Sequence, residues 1–424
     1  MPALIKTAAF TSIAVLAMRA SIVACKFGLV IFIGRYLDLA SLGLFGLASG
    51  AVSLGPVLIG MGMVHLIMRD AVTLSLARVT SDLRHYWCYT TSAYVLVLIC
   101  AVSMTVASGA SELWWLVIVI MLFEQFGNDV FLLLTSIERP VLANVSAFLR
   151  GAAWILVYVP IAVWEPAFRS NVVLFEFWLG GSVSAFLLFL WAGRSWPWKG
   201  AFSLPFERAW ITTTARKAFV IYLSDLSFVG SQYIDRYLVT LFLGLQLAGV
   251  YFFYWSVANA VVTFVSMVLY QIQRPRLIRA YHDGGALAHQ QLTGKFMKTA
   301  IAATIVFSIA VGFSLYIVLP VLKQPTSIAD NVTAFWIIVA GMAMRSIADF
   351  GNMALFTSRR DYMMTITNLA AALVLVLAQG VLLPLAGLYG AGAAIVFTFS
   401  AITLWRYKLL FRPTSDGRRS NPSP

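Results

Sequence analysis

Residues 8–34 read AAFTSIAVLAMRASIVACKFGLVIFIG, an apolar run that nevertheless encloses Arg19 and Lys26. About 20 apolar residues in helical form cross the hydrocarbon core of a bilayer. A cation near the centre of such a helix costs roughly 2.5–3.5 kcal/mol on the insertion scale. Arg150, Arg236 and Arg345 lie in comparable apolar stretches. Five such groups cost on the order of 12–18 kcal/mol if they face lipid, so they are expected to face a wet cavity, a partner charge or an anion. The expectation is an all-α polytopic membrane protein whose cation-lined interior suits an anionic cargo.

Composition agrees. The 424 residues are 61% hydrophobic and only 11% charged, whereas soluble domains are about a quarter charged. The net charge of +13 does not indicate nucleic acid, because the basic residues punctuate apolar spans and form no basic face, RNA-binding signature or zinc finger. Cys25, Cys88 and Cys100 fall in apolar segments without a CxxC, which predicts buried, reduced thiols and no disulfide. Arg19 interrupts the N-terminal apolar run and no small-x-small site closes it, so a first membrane helix is expected rather than a cleaved signal.

Twelve spans are predicted, at about 8–34, 42–67, 87–108, 113–135, 141–163, 172–192, 218–243, 247–270, 297–320, 333–356, 363–384 and 388–410. One set of flanks holds 22 of the 30 Lys and Arg residues, Arg84 and Arg406 counted among them, and the other holds Arg35, Arg169 and Lys323. That asymmetry predicts both termini in the cytoplasm, as in a cell (inner) membrane protein. The longest connections, 193–217 and 271–296, fall on the cytoplasmic side, with 68–86 somewhat shorter. The polar tail Pro413–Pro424 reads as disordered.

The 193–217 segment separates two lobes, 1–192 and 218–411, leaving 412–424 as a tail. The lobes repeat weakly. Tyr36-Leu37-Asp38-Leu39-Ala40-Ser41-Leu42-Gly43-Leu44-Phe45 joins spans 1 and 2, and Phe242-Leu243-Gly244-Leu245-Gln246-Leu247-Ala248-Gly249-Val250-Tyr251 joins spans 7 and 8. Phe126-Gly127-Asn128 in span 4 recurs as Phe350-Gly351-Asn352 in span 10, and Thr135-Ser136 near the end of the first recurs as Thr357-Ser358. Six spans separate the counterparts, so the repeat is parallel, about an axis along the membrane normal.

GRYLDLASLGLFGLASGAVSLGPVLIGMGMVHLIMRD (34–70) and YIDRYLVTLFLGLQLAGVYFFYWSVANAVVTF (233–264) resemble the openings of the two lobes in bacterial polysaccharide transporters, the lipid-linked oligosaccharide flippases. These belong to the multidrug/oligosaccharidyl-lipid/polysaccharide superfamily. The resemblance implies two six-helix bundles related by pseudo-two-fold symmetry around a central cavity, bordered by spans 1 and 7, and alternating access.

Helical spacing groups the polar residues of the spans into stripes. Arg19 and Lys26 align in span 1; Asp225, Gln232 and Arg236 align in span 7 with Asp235 on the flank; Arg345, Asp349 and Asn352 align in span 10. Glu124, Gln125, Asn128 and Asp129 form a broader face in span 4, and Arg150 lies mid-span in span 5. Arg19, Lys26, Arg150, Arg236 and Arg345 are the candidate substrate-binding residues, since arginine chelates phosphate with two parallel hydrogen bonds. Asp225, Asp235, Glu124, Asp129 and Asp349 are the candidate ion-coupling residues. The bland reading stands beside this one: Arg345 with Asp349 is equally an i,i+4 pair, Arg150 or Arg236 with Glu124 or Asp129 equally pins helices together, and Lys26 equally snorkels to the interface. Tyr233, Tyr251, Phe252, Phe253, Tyr254 and Trp255 suit sugar stacking or plain packing.

No nucleotide loop, no HExxH and no metal spacing among the four histidines is present, so no cofactor or metal is expected and the chain does not read as an enzyme. The expected function is a flippase that moves a polyprenyl-diphosphate-linked oligosaccharide outward for surface polysaccharide biosynthesis, coupled to a proton or sodium ion. Its partners would be membrane lipids and polysaccharide polymerase machinery, not nucleic acid. The alternatives are a cation-coupled multidrug exporter, a membrane polymerase or ligase, and a membrane scaffold. An exporter of cations favours an acidic cavity, a polymerase or ligase favours a large outer loop, and a scaffold needs no buried charges in both lobes.

Single cysteines at Ser203 and Ser327, in a chain freed of its own three, are expected to react with an impermeant thiol reagent from opposite sides, Ser327 from outside. Outside labelling at Ser203 would reverse the orientation.

Overall fold

A computed structural model describes residues 2–71, 74–108, 113–203, 205–322 and 328–411, with side chains from residue 14 onward except 104–108. Lys323, Ser327 and the tail 412–424 lie outside the described residues, and so do the sequence readings placed on them.

Every regular element among the described residues is helical. The long helices are α1 (Pro2–Tyr36), α2 (Leu39–Gly60), α3 (Met63–Asp70), α4 (Leu76–Ser108), α5 (Leu113–Ser136) and α6 (Pro140–Phe148). A π-turn, Leu149–Ala153, joins α6 to α7 (Trp154–Trp164), and α8 (Asn171–Ala192) and the short α9 (Trp198–Ser203) follow. Then come α10 (Arg208–Val265), a second π-turn Ser266–Tyr270, α11 (Gln271–Val318), α12 (Val332–Thr357) and α13 (Asp361–Phe411).

Nine continuous stretches among the described residues are long and apolar enough to cross a membrane. Two hold more than one rod: 208–321 breaks at Gly244 and Gly285, and Asp361–Phe411 breaks at Gly387, which returns the twelve expected spans. All three glycines have positive φ, a conformation that costs other residues dearly. At Gly387 the chain doubles back, because Arg406 reaches Thr367 and Asn368 on the other limb.

The connections differ from the sequence expectation. Segment 271–296 is helical except at Gly285, so the apolar rods of spans 8 and 9 run on as a helical hairpin. Tyr281 and His289 meet edge to face across its turn at 5.7 Å. Hydropathy marks only where a rod leaves the lipid; helix propensity carries it further. Segment 193–217 likewise contains α9 and the start of α10. It is pinned to α4: Trp198 stacks on Trp87 at 6.0 Å, and Arg84 donates to the Ala201 carbonyl at 2.5 Å. Arg84, counted as a flanking cation, is therefore buried. The cysteines are free but not buried as expected: Cys25 is half-buried, and Cys88 and Cys100 are exposed.

Contacts group the chain into two units, Met1–Phe253 with Val321–Pro325, and Tyr254–Pro320 with Thr326–Pro424. This partition by contact is distinct from the partition by repeat, since α10 packs on α2 as far as Phe253. Gly249 is the reason. A Cβ there would lie 1.8 Å from the Leu39 carbonyl oxygen, and one on Gly43 would lie 2.4 Å from that of Leu245. These two glycines occupy the same place in the repeated segments, and the backbones of α2 and α10 touch through them. Small residues permit this close approach in membranes.

The repeat also shows at helix ends. Glu138 after α5 and Arg359 after α12 both have left-handed φ, 58° and 57°. The next amide then bonds five residues back, Arg139 to Leu134 and Arg360 to Leu355, closing the same C-terminal cap.

Gly249→Ala is expected to lower the yield of folded protein severely, because the new methyl meets backbone that cannot swing aside. Gly230→Ala, where a Cβ meets nothing within 4 Å, should leave the yield unchanged; size-exclusion recovery in detergent reads both.

Candidate functional site

In the first unit, Arg19 on α1 donates its Nε to Oδ1 of Asn144 at 3.0 Å. Asn144 is buried and oriented by its own Nδ2, which bonds the Pro140 carbonyl at 2.7 Å. The guanidinium thus meets a neutral amide. Lys26 lies seven residues further along, about 10 Å on the same helix face, and is exposed. Neither cation has an ion-pair partner within 4 Å among the described residues.

Arg150 is different. It sits on the π-turn, donates to Oε2 of Glu124 at 2.5 Å and to Oδ1 of Asn128 at 2.7 Å. Its stem lies over Gly127, where a Cβ would come within 2.8 Å of Cδ. The glycine of the repeated Phe-Gly-Asn motif is thus the bed of the arginine. The other oxygen of Glu124 accepts from Trp178 Nε1 at 3.1 Å and Ser182 Oγ at 2.9 Å. Glu124 and Arg150 tie α5, the π-turn and α8 together.

Five residues beyond Glu124, Asp129 is 1% exposed and accepts from Trp87 Nε1 at 3.1 Å and Gln125 Nε2 at 3.2 Å. Gln125 in turn bonds the Tyr86 hydroxyl at 2.8 Å. Among the described residues no cation lies within ion-pairing distance of this carboxylate.

Asp225 on α10 pairs with His65 on α3 at 2.9 Å, both side chains being about two-fifths exposed. The pair lies beside another close approach, where a Cβ on Gly62 would come 3.0 Å from the Tyr222 amide nitrogen. Further along α10, Asp235 accepts from the Arg236 amide at 2.8 Å and from the Tyr251 hydroxyl at 2.5 Å. Arg236 crosses to α2, donating to the Gly46 carbonyl at 3.1 Å and Ser49 Oγ at 2.7 Å. Its guanidinium lies 4.7 Å from the ring centres of both Tyr233 and Phe252. Tyr251, Phe252, Phe253, Tyr254 and Trp255 are all buried, which is packing.

In the second unit, Arg345 and Asp349 stand one turn apart on α12 with Nε and Oδ2 at 3.9 Å, and the Arg345 guanidinium lies 5.4 Å from the Phe399 ring. Arg345 is buried, and its Nε has no hydrogen-bond acceptor. Asn352, on the same stripe, has an unbonded Oδ1. Arg406, read from sequence as a flanking cation, is buried instead. It bonds Thr367 Oγ1, the Ala348 carbonyl and Asn368 Oδ1 at 3.0, 2.8 and 2.5 Å, with its stem over Gly351. The second Phe-Gly-Asn glycine therefore also carries an arginine.

Sequence reasoning missed His65 as the mate of Asp225, Arg406 as an interior group, and Glu176, a carboxylate on the apolar helix α8. The repeated glycine was a signal for Arg406. Nothing in the one-dimensional pattern joined His65 to Asp225.

No protein-family model matches the chain, and no curated protein matches it in sequence. Solved structures do match its fold. An inward-facing multidrug resistance MATE family transporter of the MOP superfamily is 14% identical, with TM-score 0.68 over 94% of this chain and 98% of that one. The lipid II flippase MurJ in an inward closed conformation is 11% identical, with TM-score 0.71 over 95% of this chain and 87% of that one. A MOP superfamily transporter from Pyrococcus furiosus, described by the reverse polarity of its binding pocket, is 13% identical with TM-score 0.53, over 94% and 95% of the two chains. The chain shares the fold of these structures, which are transporters and a flippase.

Removing one member of the Glu124–Arg150 pair leaves a buried charge alone, at about 3–5 kcal/mol. Arg150→Met should therefore lower thermal stability strongly, and Glu124→Gln added to Arg150→Met should recover much of the loss. Equal instability of the single and double variants in a melting series would show that packing, not charge pairing, is what Arg150 supplies.

Proposed function

We propose that the chain is an inner-membrane flippase that carries a polyprenyl-diphosphate-linked oligosaccharide to the outer leaflet, for surface polysaccharide synthesis beside a polymerase. The single observation that carries this reading is the α1 stripe: among the described residues Arg19 is bound to a neutral amide, Lys26 is exposed, and no acid lies on either. Such cations are available to a diphosphate. Arg345, with a buried Nε that bonds nothing, is the third candidate. Arg150 and Arg236 are already committed to partners, which favours a structural part for them. Two neighbours lend support by analogy, one being a lipid II flippase and the other having a pocket of reversed polarity.

Within this reading both termini are cytoplasmic and the repeat lobes are 1–192 and 218–411. Coupling falls to Asp225 with His65, or to Asp129, whose carboxylate is held by neutral indole and amide donors, whereas Glu124 is paired with Arg150 and Asp235 lies against Arg236. A carboxylate that takes a proton or sodium ion in one state and releases it in the other biases the alternating equilibrium. Histidine adds a group that titrates near neutral pH. Asp129, surrounded by neutral donors, is the observation that favours the second reading, a cation-coupled multidrug exporter.

Transport in reconstituted vesicles under an imposed proton or sodium gradient separates these. Arg19→Ala should slow flipping of a diphosphate-linked glycolipid by roughly ten- to a hundredfold, the scale of a charge-assisted hydrogen bond, at normal abundance. Arg19→Lys should recover part of this, because an ammonium lacks the planar fork. Asp225→Asn should flatten the gradient dependence while sparing substrate binding. Loss of abundance in step with activity, or uptake of lipophilic cations alone, would defeat the flippase reading.

A further inference from the structure

The first unit carries an open groove of about 440 Å³ between the fifth and sixth spans, within the roughly 300–1,000 Å³ of ordinary ligand sites. Its origin is local. At Gly181 the two spans touch, a Cβ there standing 2.6 Å from Trp154 Cδ1 and 3.0 Å from the Leu149 carbonyl oxygen at the π-turn. At the adjacent Gly180 a Cβ would meet nothing within 4 Å. The groove opens beside the point of contact, lined by Trp154, Val157, Phe177, Gly180 and Ser184, with Glu176 as its ionisable group.

Glu176 is exposed, and among the described residues its carboxylate accepts no hydrogen bond and has no ion pair. Arg169, the nearest cation in sequence, is held elsewhere. It donates to the Ala162 and Val163 carbonyls at 2.8 Å each and lies 4.9 Å from the Tyr36 ring. Glu176 stands five residues into α8 from Asn171, about 7.5 Å along the axis. That places it within the sixth span, a helix long and apolar enough to cross a membrane. A carboxylate facing lipid there is costly without a counter-charge.

We propose that this groove binds a membrane lipid with an ammonium headgroup, the head on Glu176 and an acyl chain along Val157, Phe177 and Gly180. Charge selects the occupant. Among the described residues the one ionisable lining group is an anion, so anionic lipids are repelled, and the apolar remainder suits a hydrocarbon chain. This lipid site is separate from the α1 stripe and does not depend on the transported cargo.

The test is photolabelling of the full chain in vesicles with trace amounts of two long-chain diazirine probes, identical except for an ammonium or a carboxylate head. Peptides covering 149–184 should take the ammonium probe roughly tenfold more than the carboxylate probe, the scale of one charge-assisted contact. Glu176→Gln should bring the ratio to about one, and Glu176→Lys should invert it. Because the Lys variant predicts a reversal, not a loss, misfolding cannot imitate success. A wild-type ratio near one, or a ratio unmoved by Glu176→Lys, would overturn the proposal.

Discussion

A guanidinium inside a hydrocarbon slab must find its acceptors on the protein, because no water is there to supply them. Much of the helix packing follows from that constraint. Arg150 draws α5 and α8 to the π-turn through Glu124 and Asn128. Arg236 draws α10 to α2 through the Gly46 carbonyl and Ser49. Arg406 closes the α13 hairpin onto α12 through Ala348, Thr367 and Asn368. Each long stem also needs room, and in two of these cases a glycine of the repeated Phe-Gly-Asn motif provides it.

Glycine has a second use at the crossings. Gly43 and Gly249 bring the backbones of α2 and α10 together, and Gly181 brings the fifth and sixth spans together. Helix association in lipid gains little from hydrophobicity, so close van der Waals contact and buried hydrogen bonds carry it. Where contact is closest the helices are locked. Where it lapses, as at Gly180, a groove is left open.

The cations differ in what satisfies them, and that difference matters for function. Arg150 meets a carboxylate, whereas Arg19 meets one amide oxygen. A charge already neutralised by an acid offers little to an anionic ligand, whereas one held by neutral acceptors keeps its field. The carboxylates sort in the same way: Glu124 is consumed by Arg150, while Asp129 is held by neutral indole and amide donors.

The sequence alone determined the twelve spans, the intramembrane charges and the glycines of the repeat, because hydropathy and helical period are properties of a single segment. It read segment 271–296 as a loop, since polarity marks exit from lipid and not the end of a helix. It also placed Arg84 and Arg406 among the solvated flanks, although both are buried. Only the tertiary structure decided partners. A helix's period fixes which residues share its face, but the depth and rotation at which another helix docks against that face come from packing along the whole interface. That docking set Arg19 on Asn144, 125 residues away. It also set His65 on Asp225 and left Glu176 at the edge of a groove.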